Sequence, residues 1–71
     1  MALRYAVVYE QTDRNWSAYV PDLPGCIATG ANRAEVERRI EEAIRLHLDL
    51  MRESGEPIPQ PLTSVGSVEA D

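Results

Sequence analysis

The chain has 71 residues, twelve acidic against seven basic side chains, a net charge of −5 and one cysteine. That length holds one domain with a thin core, since a chain of this size buries only about 60% of its unfolded surface, and self-association is the expected remedy. A lone cysteine excludes an internal disulfide and a zinc site built from cysteine pairs, no run approaches the ~20 apolar residues of a membrane helix, and the acidic balance argues against autonomous nucleic-acid binding.

Nothing resembles a charged leader followed by an apolar run, so the expected location is a reducing cytoplasm. Every basic residue is arginine. The acidity suits a basic partner or serves solubility, and charge alone does not separate the two.

Residues Leu3 to Gln11 alternate with a period of two. Leu3, Tyr5, Val7 and Tyr9 share one face, and Arg4, Ala6, Val8 and Glu10 the other, which predicts a strand. Thr12-Asp13-Arg14-Asn15 is a polar turn, after which Trp16, Ala18 and Val20 face one way and Ser17 and Tyr19 the other. The two segments predict an antiparallel hairpin.

The next segment is Pro21-Asp22-Leu23-Pro24-Gly25-Cys26. Pro24 presets φ for the second position of a turn, and Gly25 supplies the positive φ that a type II turn needs at the third. Asp22 is expected to accept hydrogen bonds from amides a residue or two further on, and Pro21 ends the preceding strand because it has no amide. Cys26 reads better as a small buried hydrophobe than as a nucleophile or metal ligand, because a reactive thiol needs a base or cation beside it. Residues 26–30 predict a third strand closed by Gly30.

Asn32 is a good N-cap, and Glu35 stands where it can reach back to the Asn32 amide as in a capping box. A helix is predicted from Arg33 to Ser54, with Val36, Ile40, Ala43, Ile44, His47, Leu50 and Met51 on one stripe. Glu41 with Arg45, and Glu35 with Arg38 or Arg39, have the spacing of intrahelical ion pairs. Gly55 is the expected residue after the C-cap, and Pro57 forbids continuation. Leu46 and Leu48 flank the stripe, making the late helix more apolar than its own sheet requires. Leu46, Leu48, Leu50 and Met51, with Leu62 in the tail, are therefore the candidate oligomer or partner contacts.

Gly55 to Pro61 carries Pro57, Pro59 and Pro61 at alternate positions, which predicts a stiff, polyproline-like strap. Beyond it, β-prone residues interrupted by Gly and Ser suggest a fourth, edge strand through Val65, followed by a frayed end. The domain thus spans residues 1–62, with 63–71 as tail.

Candidate chemistry is sparse. His47, the one imidazole, lies on the helix's apolar stripe, where packing or an interface explains it better than catalysis. Cys26 and His47 would form a dyad only if the third strand and mid-helix converged. The carboxylates lie on a solvated helix face or in turns, with no metal-ligand cluster and no pair converging on a pocket, so neither enzyme activity nor a cofactor is expected. Tyr5, Tyr9, Trp16 and Tyr19 lack the interleaved basic residues of a base-stacking surface.

The runs Tyr5 to Glu10, Trp16 to Cys26, Ala43 to Met51 and Gly55 to Pro59, taken in unbroken order, resemble the HicB-like antitoxin family. The resemblance covers residues 3 to 62. It implies an α+β, partial RNase H-like β-β-β-α-β fold without RNase H catalytic carboxylates. It further implies the antitoxin of a type II toxin–antitoxin pair, whose partner is a HicA-like toxin. Such a toxin is a small basic protein of double-stranded-RNA-binding-domain fold that cleaves mRNA, and a direct contact would cover its active site. Many family members continue into a DNA-binding domain that this sequence does not show, so autorepression by this chain alone is not expected. A homo-oligomer, dimer or tetramer, is the further expectation. The competing readings are a solitary homo-oligomeric adaptor and a cryptic nuclease using Cys26 or His47.

Overall fold

A computed structural model describes residues 2–71. Three antiparallel strands, β1 (Val8–Gln11), β2 (Trp16–Tyr19) and β3 (Ile27–Gly30), lie in the order β1-β2-β3. One helix, α1 (Arg33–Glu53), follows. The arrangement is α+β, as the residue pattern implies.

The register pairs Tyr9 with Ala18 and Ala18 with Ala28, and sets Trp16 against Gly30. Alternation then puts Tyr9, Trp16, Ala18, Ala28 and Gly30 on one face, which carries the core of Ala18, Val20, Leu23, Cys26, Val36, Ile40 and Leu48. Along β3 that inner face runs Cys26, Ala28, Gly30, shrinking toward the start of the helix. The helix can therefore lie closest to the sheet at its own first turn. A Cβ added to Gly30 would stand 2.7 Å from the Val36 backbone nitrogen.

The helix ends agree with their chemistry. The Asn32 side chain accepts from the Glu35 amide at 2.8 Å. Glu35 reaches back one residue further than a standard capping box, accepting from the Ala31 amide at 3.1 Å. At the other end the Glu56 amide donates to the Met51 carbonyl and the Gly55 amide to that of Arg52, with Gly55 at φ 72°. This is a Schellman motif, and it turns the chain sharply out of the helix.

Two strand expectations are not met in full: the first strand is shorter than its alternation suggests, and the fourth is absent among the described residues. The first is paired only from Val8, although Tyr5 and Val7 still pack on the core. Continuing the register would set Ala6 opposite Pro21, which has no amide to donate, so the ladder ends before it. The fourth strand does not form: among the described residues no strand follows α1, and 56–71 run without regular structure. Pro57, Pro59 and Pro61 offer no amides, and the Thr63 amide is taken by a side chain. The strap instead lies over the core edge, where Ile58 packs and the Tyr5 hydroxyl donates to the Pro59 carbonyl.

Candidate functional site

The turn after β2 is two turns nested within one loop. The Leu23 amide donates to the Val20 carbonyl, the Cys26 amide to that of Leu23, and the Val20 amide closes the loop on the Cys26 carbonyl, all at 3.0 to 3.1 Å. Gly25 has φ 85°, as a type II turn requires. The loop drives Leu23 into the core, where it is 1% exposed. Pro24 remains outside.

Asp22 does not bond to its local amides. Its carboxylate accepts from the Leu62 amide at 3.0 Å, the Thr63 amide at 3.0 Å and the Thr63 hydroxyl at 2.9 Å. Amides some forty residues away compete successfully because the proline strap delivers them with no partners of their own. The Thr63 amide, ahead of the partial burial that opposes it, holds the Asp22 carboxyl below its ordinary value of 3.8. A depressed folded value means that this contribution to stability is present above the unfolded value and is lost as pH falls through the folded one. Acidification below pH 3.8 should therefore free the strap while α1 persists. The check is the amide shifts of Leu62 and Thr63 followed by NMR; shifts in Asp22→Asn that track the wild type through the same range would contradict it.

Cys26 and His47 do converge, which their sequence context does not enforce. Both line a shallow cleft of about 200 Å³ with Gly25, Ile27, Ala43, Leu46 and Leu50. No hydrogen bond joins them. Cys26 is 3% exposed and burial pushes its thiol up, the opposite of what a nucleophile needs. A second hollow, lined by Pro24, His47, Leu50, Met51, Ser54 and Glu56, adjoins the first across His47 and Leu50. Together they make a groove along the late helix. Among the described residues no three His, Cys, Asp or Glu side chains are grouped to hold a metal ion.

The contact candidates separate. Leu46 and Leu50 are exposed at 60% and 53%, Met51 is half-buried and Leu62 is 86% exposed, whereas Leu48 lies in the core. Leu48 is buried because the helix meets the core along the i, i+4 row Val36, Ile40, Ile44, Leu48, which drifts by about 40° per step around the axis. A fixed stripe carries Leu50 inward and leaves Leu48 at its margin. The drifting row exchanges them.

The helix surface is largely neutralised. Arg33 pairs with Glu37 at 2.7 Å, Arg39 with Glu35 at 3.2 Å, Arg45 with Glu41 at 2.7 Å and Arg52 with Asp49 at 3.4 Å. Arg33 also stacks 4.0 Å from the Tyr9 ring centroid and 5.6 Å from that of Trp16. This cation–π contact ties the helix start to the hairpin, and its sequence signal was the aromatic pair on the inner face. Arg39 caps the Thr29 carbonyl at 3.0 Å on edge strand β3. That contact had no sequence signal.

Residues 5–71 match the family model described as the HicB-like antitoxin of bacterial toxin-antitoxin systems. The chain belongs to the HicB-like antitoxin family. It is similar to a UPF0150 protein of Thermoplasma acidophilum, 32% identical over 59 residues, covering 82% of this chain and 86% of that one. It is also similar to Antitoxin HicB 2 of Photorhabdus laumondii, 30% identical over 61 residues, covering 86% of this chain and 44% of the relative. An uncharacterized 14.9 kDa protein from the rep-hol intergenic region of Haemophilus phage HP1 is 32% identical over 56 residues. The chain spans less than half the length of the HicB 2 and phage relatives. No solved structure matches. No helix among the described residues is long and apolar enough to cross a membrane.

Proposed function

We propose that this HicB-like chain is a non-enzymatic antitoxin module that neutralises a HicA-like, mRNA-cleaving toxin by direct contact. The observation that carries this reading is the family match over residues 5–71. The chemistry supports it. Cys26, the one thiol, is buried and protonated, and its cleft offers neither a hydrogen-bonded base nor a cluster of carboxylates. Ion pairing within α1 takes up four charges of each sign and leaves eight carboxylates against three arginines; apart from Asp22, which holds the strap, those carboxylates can meet a basic toxin and compete with its RNA.

Co-expression with each small basic protein encoded beside it is expected to give a stable complex that survives size-exclusion chromatography and restores growth. A folded chain that binds none of them and rescues none overturns the proposal.

A further inference from the structure

The groove along the late helix combines three features. Its walls are apolar and open: Ile27 is 68% exposed, Leu46 60% and Leu50 53%, with the cleft of about 200 Å³ between them. The adjoining hollow adds about 370 Å³, and the two together make an open, elongated groove with room for several side chains of an extended segment. Its rim is acidic. Glu42 stands one turn before Leu46, Glu53 three residues after Leu50, and Glu56 lines the adjoining hollow. Among the described residues none of the three has an ion-pair partner, unlike Glu35, Glu37, Glu41 and Asp49 on the same helix. The neighbouring strand edge is closed at one end, where Arg39 holds the Thr29 carbonyl, which disfavours addition of a further strand there.

We propose that this groove, between the Gly25–Ile27 segment and the Leu46–Leu50 turn of α1, is the docking site for a basic protein. An apolar side chain of that protein enters the cleft while flanking Lys or Arg residues meet Glu42, Glu53 and Glu56. Charge selects this occupant over a second copy of the chain. Two copies joined through the groove would set three unpaired carboxylates against three of the same sign, between chains that each carry −5. The inference rests on the antitoxin reading and deepens it by locating the contact.

Selection of random twelve-residue peptides displayed on phage against the full chain supplies a probe. The expected consensus is an apolar residue flanked by Lys or Arg. A synthetic peptide of that consensus should shift the amides of Ile27, Leu46, His47 and Leu50, and its affinity should fall with added salt. Leu46→Ala with Leu50→Ala should weaken binding about tenfold or more. Glu42→Gln with Glu53→Gln should weaken it and flatten the salt dependence. Both pairs are exposed, so unfolding curves should be unchanged, and a fall there would assign them a structural role and overturn the inference. It is also overturned by no enrichment, by a consensus without basic residues, by shifts centred elsewhere, by residues 65–68 of the chain's own tail occupying the cleft, or by dimerisation that Leu46→Glu abolishes. A toxin complex insensitive to the groove variants defeats the inference alone; a basic peptide in the groove with no toxin bound defeats the antitoxin reading alone.

Discussion

Leu23→Ala is expected to cost more stability than any other single truncation in the turn after β2, on the order of 2–5 kcal/mol. Leu23 is 1% exposed and is among the largest fully buried side chains, with Ile40 and Val36. Truncation leaves a cavity that the surroundings can hardly close. The backbone on either side is pinned by the three hydrogen bonds of the nested turns, so the loop cannot collapse inward. A domain of this length has in total only about 4–10 kcal/mol of stability, taking roughly 0.05–0.15 per residue. The loss is therefore about a fifth or more of what the protein has. In urea the midpoint should fall by about 2 M or more, given a slope near 1 kcal/mol/M for a small domain. Leu23→Met, which conserves volume, should cost less than about 1.5 kcal/mol. A Leu23→Ala loss no larger than that of Leu23→Met would contradict the role given to the side chain.

That expectation changes what the turn signifies. Its sequence suggests a reversal with a conspicuous thiol, yet each residue has structural work. Leu23 plugs the core, Gly25 permits the reversal, Cys26 fills the large end of β3's inner face, and Asp22 holds the strap. Pro24, outside the core, edges the late-helix groove. The turn therefore places one wall of the proposed docking site and also fastens the C-terminal strap.

Local rules made much of this legible. The hairpin, the type II turn, the Asn32 cap, the Gly55 C-terminal motif and the Glu41–Arg45 pair each depend on residues within about four positions of one another. Contacts across long separations were not legible. The Asp22 latch joins residues forty and forty-one positions apart, and nothing near Asp22 indicates that its local amides will lose to Leu62 and Thr63. The length of the first strand failed for a similar reason: alternation records which side chains face the core, not whether a neighbouring strand has amides to offer. Leu48 and Leu50 exchanged roles because a helical stripe assumes a contact line parallel to the axis, whereas this helix crosses its core along an i, i+4 row. The groove became visible only after that correction, since it is what Leu46 and Leu50 line once Leu48 has turned inward.

Gly30→Ala provides the second large effect, and it isolates a steric cause from a conformational one. Gly30 is buried and does not occupy the left-handed region, so alanine has no backbone objection there. The objection is space: the new Cβ would lie 2.7 Å from the Val36 nitrogen, 3.1 Å from its Cα and 3.2 Å from the Glu35 carbonyl carbon. All three are backbone atoms of the first helical turn, so no rotamer change relieves them. The helix start must move off β3, straining the Arg33 contact with Tyr9 and Trp16 and the Asn32 cap, for an expected loss of about 1–3 kcal/mol. Gly25→Ala makes the complementary test, because nothing lies within 4 Å of its added Cβ while its φ of +85° is unfavourable for alanine. Its loss should be about 1 kcal/mol, without displacement of the helix. The decisive comparison is Gly30→Ala made in a Val36→Ala background, with sulfate added to keep both variants folded. If the clash is with backbone, shortening the Val36 side chain should give no relief, and the two losses should add. Recovery of stability in the double variant would mean that the helix already has room to yield, and that the small inner face of β3 does not set its approach.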